Sequence, residues 1–259
     1  MTQPVRHQRS EGAILLSMGA TGLKRLREAH AAKVRLPAGG HEAILINTGG
    51  GLAGGDRFSF DITAEEDARL TLTSQAAERV YRTLGPAAEV DVRLTAKSGA
   101  TLMWLPQESI LFDGASLSRR ITADIAADAR LLAVESVILG REAMGETVHH
   151  ARLRDSWRIR QSGRLIFADD LAFDGPPPAT PATLGEARAF ATILAVSPQA
   201  ETMLDAVRAA IGPRGDASSW SGKMVARLAA RDGFELRKSL IPALTVLAGC
   251  GALPKSWSF

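Results

Sequence analysis

The sequence predicts a mainly β protein: a β-helical or layered, β-solenoid-like body of repeated strand-turn-strand units, with a small C-terminal part containing two helices. Three observations point there. Alternating apolar residues recur at a loose period through the first two thirds, a proline-rich stretch follows, and two apolar stripes at helical spacing come late in the chain.

The first unit places Phe58, Phe60 and Ile62 in alternation, turns at Glu65 to Asp67, and resumes with Ala68, Leu70 and Leu72. The second alternates Val90, Val92 and Leu94, turns through Lys97 to Gly99, and resumes with Ala100, Leu102 and Trp104. A third runs Ile121, Ala123, Ile125, turns at Ala126 to Asp128, and continues with Ala129 and Leu131. A fourth, weaker copy has Trp157 and Ile159 before Gln161 to Gly163, and Leu165 and Phe167 after. The first residues past the turns are 68, 100, 129 and 164, giving spacings of 32, 29 and 35. Period-two alternation marks a strand with one buried face. Two such runs joined by a short turn cannot cover that face alone, so neighbouring units must stack. An antiparallel sandwich of similar hairpins gives the same alternation, and the pattern alone leaves both open.

Past Leu171, FDGPPPATPATLG carries four prolines in thirteen residues and reads as a surface loop. Ser197-Pro198 then supplies a cap with proline at the first helical position. Met203, Leu204, Val207 and Ile211 mark one face of a helix of about four turns, ended by Gly212-Pro213. KMVARLAA (223–230) is strand-like. Leu236, Leu240, Leu244 and Leu247 form a second helical stripe, with Pro242 inside it predicting a kink or break. The chain divides into a repeated β body over 1–172, a proline-rich loop over 173–189 and a helix-containing part over 190–259 of one domain.

Composition excludes several function classes. The net charge is +3, lysine fills six of the 31 basic positions, and no five basic residues run together, which argues against a nucleic-acid partner. No stretch approaches the roughly 20 apolar residues of a membrane span, and the N-terminus lacks a signal-peptide core. A cytoplasmic protein with no membrane partner is expected. Cys250, the single cysteine, has no partner for a disulfide or a zinc pair, in keeping with a reducing compartment.

INTGGGLAGGD (46–56) crowds Gly49, Gly50, Gly51, Gly54 and Gly55 into seven positions and spells G-x-G-x-x-G. In a dinucleotide site such a turn opens a helix whose amides meet the pyrophosphate. Here DRFSFDIT alternates and predicts a strand, and Asp56 stands where a Walker loop needs lysine. The glycines therefore read as a structural corner between two strands, with a carboxylate on its exit.

Taken together, LINTGGGLAGGD (45–56), SQAAERVYR (74–82), LPQESILFDGA (105–115), ESVILGREAMGE (135–146), ARLAARDGFELRKSL (226–240) and LPKSW (253–257) resemble the urease accessory protein family UreD, called UreH in some systems. Glu78 departs from that pattern, in which a basic residue is common. The resemblance implies a non-enzymatic chaperone with a β-helical body and a small helical part. It further implies the partners UreF, UreG and the urease apoprotein, and a GTP-dependent delivery of nickel in which UreG hydrolyses the GTP. No tightly bound cofactor is implied, only transient Ni2+.

Tight nickel sites need imidazole or thiolate clusters, and the five histidines (7, 30, 41, 149 and 150) form none; His149 and His150 on a strand point to opposite faces. Oxygen ligands hold an ion weakly, which suits transfer. Asp56, Glu108, Asp113, Glu135 and Glu146 lie inside the family-like blocks and are the candidates to line a transient nickel path. For each, a turn cap or an ion pair with an arginine is the structural alternative. Glu142 and Glu146, four apart, share a side on either a helix or a strand. The competing function, a β-solenoid hydrolase or polysaccharide-binding protein, needs paired acids with aromatic platforms, whereas aromatics make up only 5% of residues and Tyr81 is the sole tyrosine.

Overall fold

A computed structural model describes residues 9–39, 41–180, 182–249 and 253–258; His7 and Cys250 lie outside the described residues. Three chain segments wind as successive coils. Strands β5 (Arg57–Ala64), β8 (Ala88–Ala96) and β11 (Ser116–Ile125) lie parallel in one sheet, flanked by β1 (Glu11–Gly19) and β13 (Ala151–Gln161). After a corner, β6 (Arg69–Ser74), β9 (Thr101–Trp104) and β12 (Arg130–Leu139) lie parallel in a second sheet beside β4 (Glu42–Asn47). The short strand β10 (Ser109–Leu111) then pairs in parallel with β7 (Glu78–Val80) on one side and with the far end of β12 on the other, making a third side. This is the solenoid arrangement, and the sandwich alternative falls.

The three predicted turns are corners between sheets, closed by one repeated backbone bond: Ala68 N to Glu65 O (3.0 Å), Ala100 N to Lys97 O (3.0 Å) and Ala129 N to Ala126 O (3.2 Å). Because the coils stack in register, inward side chains form rows. Ile14, Phe60, Val92, Ile121 and Trp157 share one row, and Leu16, Ile62, Leu94, Ala123 and Ile159 the next. Burying a side chain of Leu or Ile size stabilises by roughly 1.5–3 kcal/mol, so each coil is held chiefly by its neighbours.

The fourth unit departs from the prediction. Instead of bending into the second sheet, β13 returns as β14 (Arg164–Gly175), antiparallel within the same sheet. Ser162 and Gly163 both have positive φ (49° and 80°), the mark of a two-residue hairpin turn whose twist matches antiparallel strands. Leu165, expected on the buried face, is exposed.

The first sheet ends with β2 (Gly22–His30), a hairpin partner of β1, and the second begins with β3 (Ala32–Arg35) against β4. The region after the proline-rich segment is more than helical. It gives three strands to the second sheet: β15 (Ala189–Val196) beside β12, then β17 (Lys223–Ala230) and β16 (Gly215–Trp220). KMVARLAA is thus a strand as predicted.

Two helices cover the outer face of this sheet. Helix α1 (Leu204–Ile211) is shorter than the predicted four turns, because Ser197 caps only a local turn at Gln199 and a 3-10 turn occupies Glu201–Met203. Val207 and Ile211 are buried, and Gly212 ends the helix. Helix α2 (Gly233–Ala248) is capped by Asp232, whose carboxylate accepts from Glu235 N at 2.7 Å, and runs through Pro242 without a break. Leu236, Leu240 and Leu244 face a second apolar core with Leu105, Val134, Ile193 and Trp257.

The C-terminus clasps this assembly. Trp257 is fully buried, its Nε1 donating to Leu105 O at 2.9 Å, and Ser256 bonds Thr73 (Oγ to Oγ1, 3.0 Å). Trp257→Ala is expected to cost about 3–5 kcal/mol in a chemical-denaturant unfolding experiment. A loss below about 1 kcal/mol would show the clasp to be superficial.

Candidate functional site: a chamber inside the coils

The glycine corner links β4 to β5 and knots itself. Asn47 Oδ1 accepts from Gly49 N at 2.8 Å, and its Nδ2 donates to Gly51 O at 3.1 Å. Gly51 has φ of 146°, and a Cβ there would stand 2.5 Å from the Tyr81 ring; one on Gly54 would stand 2.6 Å from Pro86 O. The chain leaves as β5, so the glycine string opens a strand and no helix N-terminus faces it. Asp56 is buried and accepts Ser10 N and Ala53 N at 2.7 Å each, locking the corner to the start of β1.

Three other predicted carboxylates are similarly engaged. Glu108 is buried, with its two oxygens gripped by Arg237 of α2 at 2.6 and 3.0 Å. The same guanidinium donates to Gln107 and lies 5.5 Å from the Trp257 ring centroid. Asp113 accepts the backbone N–H groups of His150 and His149, and these bonds hold its pKa below the ordinary value. The two histidines are not on a strand; they lie in the loop before β13. Glu146 is clasped by Arg141 (Nε 2.9 Å, Nη2 3.0 Å), which lowers its pKa.

Glu135 is different. It sits on β12, facing a cavity of about 80 Å³ between the sheets, lined by Phe58, Phe60, Val90, Trp104, Leu117 and Arg119 among others. Arg119 occupies an inward row with Gly12, Phe58, Val90 and Asp155, where β1, β5 and β8 carry glycine or apolar side chains. Its guanidinium is fully buried. It pairs with Glu135 through Nη1, with Asp155 through Nε (3.2 Å) and Nη2, and donates to Ser109 Oγ at 3.2 Å. Trp104 Nε1 donates to Glu135 Oε1 at 2.8 Å, and Trp157 Nε1 to Asp155 Oδ1 at 3.2 Å.

One guanidinium thus answers two carboxylates, and the network is a positive charge short when both are ionised. Burial pushes the Glu135 carboxyl up, with the Arg119 charge opposing it. Burial also works against the Arg119 cation, but Asp155 and Glu135 outweigh it and its pKa is raised. Removing the guanidinium would leave both buried carboxylates uncompensated.

A further acid, not singled out as a ligand from the sequence, lies at the chamber's edge. Glu78 on β7 lines both the chamber and a surface groove of about 160 Å³ flanked by Gly50, Gly51, Gln75 and Arg79. Its only side-chain partner among the described residues is Asn47 Nδ2, at 3.2 and 3.3 Å. Burial pushes Glu78 up to about 7. Of the five predicted carboxylates, only Glu135 lines the chamber. Among the described residues no three His, Cys, Asp or Glu side chains gather at one point.

Comparison with known proteins settles the family. A model of the UreD urease accessory protein family matches residues 10–258. The chain belongs to the UreD family of urease accessory proteins. It is 45% identical over 266 residues to the urease accessory protein UreD of Agrobacterium fabrum strain C58, covering 99% of this chain and 94% of that one. The UreD proteins of Rhizobium etli (47%; 98% and 97% covered) and Mesorhizobium japonicum (46%; 93% and 89% covered) are comparably similar. The family match spans the glycine corner, the chamber and the C-terminal clasp together. No helix among the described residues is long and apolar enough to cross a membrane.

Glu78 makes a pH prediction. Its folded pKa of about 7 exceeds the unfolded value of about 4.3, so its contribution to stability is fully present below pH 4 and is lost as pH rises through 7. Glu78→Gln, neutral throughout, is expected to be more stable than the parent at pH 8 by on the order of 2 kcal/mol and indistinguishable at pH 4. Denaturant titrations at the two pH values check this. Equal differences at both would show that Glu78 is ionised in the fold.

Proposed function

We propose that this chain is a non-enzymatic chaperone that assembles with UreF and UreG on the urease apoprotein and supports GTP-dependent insertion of nickel. UreG hydrolyses the GTP. Family membership supports the urease accessory role, and the two acids, Glu135 and Glu78, that line an otherwise largely apolar chamber are the observation that carries the nickel reading.

A divalent ion entering a protein interior loses hydration, and an uncompensated negative charge on the walls offsets part of that loss. The network of Arg119, Glu135 and Asp155, with Glu78 at the edge, provides acids in excess of cations around a space several times the roughly 10–15 Å³ that one water needs. Carboxylate, amide and hydroxyl oxygens from Glu135, Glu78, Gln107 and Ser74 are hard, weakly binding donors for nickel, which favours release over storage. In this reading Glu135 and Glu78 line the passage, while Asp56, Glu108, Asp113 and Glu146 shape its walls and approaches. No residue of the chain needs to make or break a covalent bond.

The decisive experiment expresses the urease subunits with UreF and UreG, with and without this chain. Omission is expected to abolish nickel-dependent urease activity. Under limiting nickel, Glu135→Gln, which keeps the side chain's shape, is expected to lower activation about tenfold while the complex still assembles. Full activation by that variant would remove the chamber from the nickel path. Full activation without the chain would remove the accessory role itself.

A further inference from the structure

The loops that leave the third side of the coils stack into a continuous rim. Tyr81 N donates to Leu52 O (2.8 Å), Phe112 N to Val80 O (3.1 Å), Thr83 N to Gly114 O (3.0 Å) and Gly114 N to His150 O (2.7 Å). Aromatic contacts stiffen it. Tyr81 and Phe112 meet edge to face at 5.3 Å, Arg141 lies 4.3 Å from the Phe112 ring centroid, and Tyr81 Oη donates to Gly50 O at 2.9 Å. Yet this braced rim holds two large apolar side chains in water: Leu84 is 97% exposed and Met144 73%. Neither adds to the chain's own core.

The charges around them are one-sided. Arg9, Arg79 and Arg82 are exposed, and among the described residues none lies within ion-pair distance of a carboxylate. Of the neighbouring acids, Asp56 and Asp113 are committed to backbone amides and Glu146 to Arg141, Glu78 feels the Arg79 charge and Asp113 that of Arg82, and Glu142 is the one exposed acid of the loop carrying Met144. The surface groove that borders the chamber at Glu78 is flanked by Gly50, Gly51 and Arg79, and Gly50 joins it to the rim through Tyr81.

We propose that the rim around Leu84 is a docking surface for a folded protein partner whose apolar socket is ringed by carboxylates, seated over the groove that borders the chamber. This rests on the accessory role proposed above. An apolar anchor surrounded by charges that pair across the contact is the usual core-and-rim pattern of an interface, and a surface braced beforehand loses little entropy on binding. A second copy of the chain is disfavoured, because a two-fold contact would bring the same exposed arginines against each other. Nucleic acid is disfavoured too. Three arginines make a small phosphate footprint, phosphate gains nothing from Leu84 or Met144, and Tyr81 and Phe112 are packed on each other rather than offered to bases.

The test co-expresses affinity-tagged chain with the urease subunits, UreF and UreG, and quantifies what is recovered. Leu84→Asp, and separately Arg79→Ala with Arg82→Ala, are each expected to lower recovery of one partner by about tenfold or more, with an unchanged thermal midpoint of the isolated chain. Leu165→Asp, which alters a half-exposed leucine on β14, is expected to leave recovery unchanged. Parental recovery by the rim variants, or an equal loss in Leu165→Asp, overturns the docking surface while the accessory role stands. So does a Leu84-dependent self-association on gel filtration, or Leu84-dependent binding of a DNA duplex, with partner recovery unaffected. A parent chain that recovers none of the three proteins overturns both readings together.

Discussion

In-register stacking is the constraint from which the rest of the molecule follows. Once coils lie parallel with no offset, every inward position belongs to a row shared by its neighbours, and the chemistry of one coil must be answered in the next. Most rows are apolar throughout. The row through Phe58 and Val90 instead brings Arg119 beside Asp155, and Glu135 reaches them from the opposite sheet. A buried charged network thereby forms on the wall of a largely apolar chamber without any interruption of the backbone ladders.

Much of the coil was legible, because period two survives in a half-buried strand whatever the tertiary context. The corners at 65–67, 97–99 and 126–128 fall where the alternation breaks. What escaped has physical causes. Carrying the alternation of Ile121 one step back reaches Arg119, and that of Trp157 reaches Asp155, so charged residues at inward positions were the available sign of the buried network. Glu78 lies on a strand of three residues, too short to show any period. The hairpin at Ser162-Gly163 and the corners look alike as polar interruptions; only the backbone angles separate them. The length of α1 was overread because a cap and a following proline mark where a helix can begin, while the backbone here first takes a tighter turn. The sequence offers Asp56, Glu108, Asp113 and Glu146 as candidates for a nickel path with a turn cap or an arginine ion pair as the alternative, and each has an amide or arginine partner whose identity sequence spacing does not reveal.

The helical layer joins the chamber's surroundings through one side chain. Arg237 projects from α2 to Glu108 and Gln107, in the segment just before β10, while Trp257 wedges beneath it against Leu105. Residues more than a hundred positions apart therefore share one electrostatic and apolar joint. A displacement of α2 would load the segment that precedes Ser109, which itself bonds Arg119. The outer helices and the buried network are thus mechanically continuous.

The return of β13 as β14 also fixes how long the molecule is. A parallel solenoid has no inherent last turn, since each finished coil presents a template for another. At Ser162-Gly163 the chain reverses direction, and the outermost strand of that sheet now runs opposite to the coils beneath it. A further turn of the same winding would have to be laid on an antiparallel edge, with the wrong spacing of amides and carbonyls. Two small residues act as a terminator, and a protein built by repetition acquires a definite size.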